Sequence, residues 1–187
     1  MVKVAINGLG RIGRPVLKLC LEKGINVVAV NDITSTENLA YLLKYDSVYG
    51  NYDGKIEAGK DFLKINGKMI KVFAEENPEK LPWKKLGVDV VIESTGFFED
   101  EAYKHIKAGA RKVIISAPSK KCDATIVLGV NDEILKKEHE LDEKQKIKKR
   151  MFEHWKNLNH FSSTCQDIHS GRKNEVKYFN GYIVELG

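Results

Sequence analysis

Three observations predict a mostly parallel, doubly wound α/β sheet. The first is Val2-Lys-Val-Ala-Ile-Asn-Gly8-Leu-Gly10-Arg-Ile-Gly13-Arg-Pro15, in which an alternating apolar run enters a G-x-G-x-x-G turn. A helical apolar pattern of Ile12, Val16, Leu17, Leu19, Cys20 and Leu21 follows, so the stretch reads as strand, tight turn, helix. The second is a set of short apolar runs at 26–31, 88–93, 112–115 and 124–128 that end in small or polar residues. Strands buried on both faces of a parallel sheet have that continuous apolar character, and their carboxyl ends open on a ligand crevice. The third is Asn66-Gly67 between alternating runs at 62–65 and 69–73, a hairpin signal that inserts an antiparallel excursion.

The opening turn defines the fold as Rossmann-type and gives each glycine a task. Gly8 permits the turn, Gly10 has no side chain to keep a diphosphate off the backbone, and Gly13 lets helix and strand lie close. Backbone N–H groups around Arg11 and Ile12 have no helical acceptor, and the helix dipole favours an anion beside them. Pro15 is tolerated because a first-turn residue has no helical donor to lose. Asp32 closes the second strand at the distance from which an acid accepts the adenosine ribose hydroxyls. A carboxylate there repels the extra phosphate of NADP, so NAD is the expected cofactor.

Further along, Thr34-Ser-Thr-Glu37 reads as a capping box for a helix that turns Leu39, Leu42 and Leu43 inward. A strand is expected at 55–57 before the Asn66-Gly67 hairpin, and 78–83 makes a tight connection. The 88–93 strand runs into Ser94-Thr95-Gly96, which therefore faces the same crevice as Gly10. A helix is expected over 99–108, closed by Gly109, and the 112–115 strand ends at Ser116.

The chain of 187 residues carries a formal charge of +5 and ordinary apolar and charged fractions, which suits one sizeable domain with an appendage. No apolar run reaches membrane-spanning length and no secretory leader pattern opens the chain, so a cytoplasmic protein without a membrane partner is expected. Cys20, Cys122 and Cys165 are odd in number and widely spaced, which fits reduced thiols.

Residues 1 to about 139 resemble the NAD-binding half of type I glyceraldehyde-3-phosphate dehydrogenases. The words that carry the likeness are Ile6-Asn-Gly-Leu-Gly-Arg-Ile-Gly-Arg14, Val30-Asn-Asp32, Leu43-Lys-Tyr-Asp-Ser47, Leu81-Pro-Trp83, Gly87-Val-Asp-Val-Val-Ile-Glu-Ser-Thr-Gly96 and Ile115-Ser-Ala-Pro-Ser-Lys120. Erythrose-4-phosphate dehydrogenases share much of this series. The resemblance implies an oxidoreductase ancestry in glycolysis, with NAD used to oxidise an aldehyde phosphate. It implies that Arg11 and Ile12 hold the diphosphate, that the backbone at Glu76 lies by the adenine, and that Ser94, Thr95 and Gly96 line the adenosine and diphosphate side. Ser116 corresponds to a hydroxyl near the nicotinamide ribose.

The family's Ser-Cys-Thr-Thr-Asn segment and activating histidine are not recognisable after Asn131, so complete catalytic machinery is not expected. Two alternatives stay open. The chain could act as an oxidoreductase, with the catalytic half supplied elsewhere or with Cys165 as nucleophile near His160 and His169. It could instead bind nucleic acid or protein through the basic run Lys144-Gln-Lys-Ile-Lys-Lys-Arg150, although such runs are usually a helix's wet face and nucleic acid is not the expected partner. The spacings of His154, His160, Cys165 and His169 match no common zinc module, so no metal site is expected. Residues 140–187 form a divergent tail, with a helix expected to about 158, a loop, and a hairpin over 176–186 turning at Asn180-Gly181. An NAD or ADP-ribose-like nucleotide is the expected partner, and a homo-oligomer is left open.

Overall fold

The computed structural model describes residues 1–131 and the backbone of 181–184. β1 (Lys3–Asn7), α1 (Gly13–Glu22) and β2 (Asn26–Asn31) form the expected strand, helix, strand unit, and α2 (Thr36–Lys44) follows. The antiparallel excursion is β3 (Ile56–Ala58), β4 (Phe62–Ile65) and β5 (Lys68–Phe73). Alternation then resumes with α3 (Trp83–Leu86), β6 (Val90–Glu93), α4 (Tyr103–Lys107), β7 (Lys112–Ile115) and β8 (Ala124–Ile126), while Gly181–Val184 is β9.

These strands form one sheet of order β3-β4-β5-β2-β1-β6-β7-β9-β8. β5, β2, β1, β6 and β7 run parallel, each beside the next, and their carboxyl ends therefore share one edge. A period of two sends alternate side chains to opposite faces. Val4 and Ile6 of β1 join a core that holds Leu17 and Cys20 of α1 and Leu39 and Leu43 of α2. Ala5 goes to the other face, where Trp83 of α3, Val91 and Val113 make the second core. The sheet is thus covered on both sides, which is why β6 is buried at every position.

Four details differ from the expectations. The cap of α2 is Ser35, whose hydroxyl accepts from the Asn38 N–H, because the Thr34 N–H is already taken by the Asp32 carboxylate at 2.9 Å. The expected helix over 99–108 is split into a 3-10 turn at Glu99–Glu101 and the short α4. Leu42 is half-buried, whereas Leu39 and Leu43 go fully inside. Residues 181–184 pair antiparallel with β7 on one side and β8 on the other. The expected hairpin partner at 176–179 and the expected helix to about 158 lie outside the described residues. Among the described residues no helix is long and apolar enough to cross a membrane.

Candidate functional site

The parallel strands deliver five segments to one edge of the sheet: the glycine turn after β1, Asp32 after β2, residues 74–77 after β5, Ser94–Phe97 after β6, and Ser116 after β7. The glycine turn is shaped by backbone crowding. Gly8 has φ +88°, donates its N–H to the Asn31 carbonyl at 2.8 Å, and faces the Thr95 backbone where a Cβ would come within 2.8 Å. A Cβ on Gly13 would lie 1.8 Å from the Gly8 carbonyl oxygen, so helix and turn touch backbone to backbone. Gly10 is different: nothing stands within 4 Å of its Cβ position, and the residue is exposed.

That open position is flanked by donors. Among the described residues, the backbone N–H groups of Gly10, Arg11 and Ile12 have no acceptor, and α1 begins at Gly13 with Ile12 as its cap residue. Unpaired amides at a helix N-terminus beside a bare glycine fit the diphosphate of a dinucleotide. Arg14 braces the turn, donating from Nη1 to the Leu9 carbonyl at 3.2 Å and reaching Asp46 with Nη2 at 3.9 Å. Burial pushes the Asp46 carboxyl up, but hydrogen bonds from the Tyr49 and Val48 N–H groups and the nearby Lys18 and Arg14 charges hold it below its ordinary value.

Asp32 is tied into the backbone around it. Its Oδ2 accepts from the Leu9 N–H at 2.7 Å and its Oδ1 from the Thr34 N–H at 2.9 Å, so the carboxylate ties the end of β2 to the glycine turn. A carboxylate has about four acceptor sites, which leaves room for two hydroxyl donors. Glu76 is exposed beyond β5, next to Glu75, whose backbone is held on both sides by the Asn31 side chain. Ser94 spends its hydroxyl on the Asn7 and Gly8 carbonyls at 3.0 and 2.7 Å, which makes it a brace for the turn. Thr95 is anchored to Glu93, and Gly96 adopts φ +78° at the exposed tip. The Ser116 N–H donates to the Glu93 carbonyl at 2.9 Å, which keeps it at the same edge. Cys165, His160 and His169 lie outside the described residues. Among the described residues no group of three metal-ligating side chains occurs.

Beneath these loops lies a polar line to which the sequence analysis assigns no role. Asn7, Asn31, Glu93 and His105 are all buried, and hydrogen bonds join them in series. The available signal was positional: Asn7 and Asn31 close consecutive apolar strands, and Glu93 closes a third. Burial pushes the Glu93 carboxyl up, but hydrogen bonds from His105, Asn7 and Thr95 hold it below its ordinary value.

Fold and geometry together define a Rossmann-type α/β domain whose loops gather at the carboxyl edge of its parallel strands. The chain belongs to the family described as glyceraldehyde 3-phosphate dehydrogenase, NAD binding domain, whose model matches residues 2–101. It is 56% identical over 144 residues to the glyceraldehyde-3-phosphate dehydrogenase of Thermotoga maritima, covering 74% of this chain and 43% of that one. Against the enzyme of Clostridium pasteurianum it is 54% identical over 138 residues, 72% of this chain and 41% of the relative. For the enzyme of Geobacillus stearothermophilus the figures are 55% over 135 residues, 71% and 40%. The chain thus spans about two fifths of the length of the curated relatives it matches. A second family model, ketopantoate reductase PanE/ApbA C terminal, matches residues 79–187. Within the overlap at 79–101, β6 pairs in parallel with β1, which only the first match includes, so the overlap is part of the same sheet.

Proposed function

We propose that this chain binds NAD at the β1–α1 turn and serves as the cofactor half of an NAD-dependent oxidation of an aldehyde phosphate. The backbone amides of Arg11 and Ile12 hold the diphosphate, Asp32 takes the adenosine ribose, and Gly10 lets the phosphates approach. Glu76 lies by the adenine, Ser94, Thr95 and Gly96 border the adenosine and diphosphate, and Ser116 borders the nicotinamide ribose. Bound NAD supplies the acceptor for a hydride; this chain's part is to bind and orient it. The observation that carries the reading is the row of amides at 10–12 without acceptors beside a glycine whose Cβ position is open, with a carboxylate tied to the same turn.

Calorimetric titration of the full chain with NAD and with ADP-ribose is the test. Binding is expected for both with similar affinity, because every named contact except that of Ser116 is made to the adenosine and diphosphate end. Gly10→Val places a branched side chain in the open position and is expected to weaken both at least tenfold. NAD affinity untouched by Gly10→Val and Asp32→Ala would refute the assignment. Incubation with NAD, phosphate and glyceraldehyde-3-phosphate, followed at the NADH absorbance, tests the catalytic part; turnover lost on Cys165→Ser would make the chain an enzyme through that thiol.

A further inference from the structure

The line of buried polar groups starts at Trp83 and ends under the crevice. The Trp83 indole N–H can only donate, and it points at His105 Nδ1 at 3.0 Å. Nδ1 therefore accepts, and the ring proton sits on Nε2, which faces Glu93 Oε2 at 2.8 Å. The Asn7 amide donates to the same oxygen at 2.6 Å. Glu93 Oε1 accepts from the Thr95 N–H at 2.8 Å and from the Thr95 hydroxyl at 2.5 Å. The carboxylate's four acceptor sites are thus filled by four donors. Beyond Asn7, its Oδ1 accepts from the Asn31 amide at 2.7 Å, and Asn31 grips the Glu75 backbone through both carbonyl and N–H at 2.9 Å.

We propose that Glu93 and His105, backed by Trp83, are positioning residues of the nucleotide crevice: one buried hydrogen-bonded line sets the loops after β1, β2, β5 and β6 in a single mutual arrangement. This rests on the NAD reading. The alternative, an acid–base pair acting on substrate, is disfavoured by burial, since His105 is 0% and Glu93 1% exposed. It is also disfavoured by occupancy, because no acceptor site of Glu93 is left for a ligand. The physical work of the carboxylate is to impose polarity. Because it accepts only, Asn7 must turn its NH2 toward Glu93 and its oxygen toward Asn31. Asn31 must then present its NH2 to Asn7 and its oxygen to the Glu75 N–H. Each amide's sense follows from the one before, and all follow from the charge at Glu93. The same charge fixes Thr95, whose backbone crowds Gly8 of the glycine turn.

Glu93→Gln removes this polarity at almost constant volume. With its NH2 toward Asn7 and His105 the glutamine faces two donors; with its NH2 toward Thr95 it faces the Thr95 N–H, and the Thr95 hydroxyl must turn to accept. In the full chain, held well below its melting temperature, this variant is expected to bind NAD at least tenfold more weakly by calorimetry. Amide hydrogen exchange at Thr95 and at Glu75 should both accelerate, although Glu75 lies three hydrogen bonds from the substitution. If Glu93→Gln does not fold, His105→Gln is measured the same way, with a loss of several fold expected. A lower melting temperature with unchanged NAD affinity and unchanged exchange at Glu75 would overturn the proposal and leave the line a structural filler. Wild-type protein that does not bind NAD would sink the cofactor reading alone, because coupling between positions 93 and 75 is still read by exchange.

Discussion

Two turns in this sheet contain a glycine that sequence patterns single out, and they need it for different reasons. Gly67, in the hairpin between β4 and β5, has φ +84° with nothing within 4 Å of its Cβ position; its neighbour Asn66 also has positive φ, at 50°. The turn demands a left-handed backbone and is indifferent to volume. Gly13 in the crevice turn is needed because another backbone occupies the space a Cβ would fill. The same contrast holds for charge. Glu57 on the hairpin edge and Glu93 under the crevice both have carboxyls held below their ordinary values. Glu57 owes this chiefly to a hydrogen bond from Lys55, with the charges of Lys55 and Lys64 adding to it, in the open. Glu93 owes it to a closed set of buried donors that outweigh its burial. A residue type or a shifted carboxyl carries meaning through what surrounds it.

The largest effect is expected of Gly13→Ala. Backbone cannot move aside as a flexible side chain can, so a loss of about 3 kcal/mol or more is expected, read from urea denaturation. A loss below 1 kcal/mol would show that helix and turn are not in the contact described. Gly67→Ala meets no neighbour and pays only for the left-handed backbone, about 1 kcal/mol. If it proved as damaging as Gly13→Ala, the distinction between conformational and steric glycines would fail here.

Acid should separate the two carboxylates next. With its folded pKa depressed, Glu93 contributes stability that is present above the ordinary glutamate value, about 4.3, and lost as pH falls through the folded value. The urea midpoint of the wild type is expected to drop below that pH, while Glu93→Gln shows a shallower decline from a lower starting point. Parallel curves would contradict the role given to Glu93. The smallest effect is reserved for the exposed pair: Glu57→Ala should leave the melting temperature unchanged at ~0.15 M salt, where the Debye length is about 8 Å. A clear shift there would mean that the hairpin edge depends on its charges after all.

Much of this molecule is legible in its sequence, and the reason is locality. β2, β4 and β7 fall where their apolar runs predict, and the Asn66-Gly67 hairpin forms because turn chemistry and alternating flanks agree within a dozen residues. The crevice segments were legible too, since strand ends in a parallel sheet must share an edge. The buried line was not. Its partners stand 22, 12, 86, 24 and 44 positions apart, and no periodicity records which polar residue at one strand end will face another.

The residues alone specified the alternation of strands and helices, the glycine turn and the acid beside it, because each depends on backbone preferences and apolar periodicity over a few positions. The pairing of neighbouring strands supplied the rest. It turned Asp32 and Ser94 into braces of the turn, chained Trp83, His105, Glu93, Asn7 and Asn31 into one line, and set residues 181–184 between β7 and β8. A buried polar atom must find a partner wherever the packed sheet brings one within reach, and that distance is a property of the assembled sheet, which no stretch of the chain encodes locally.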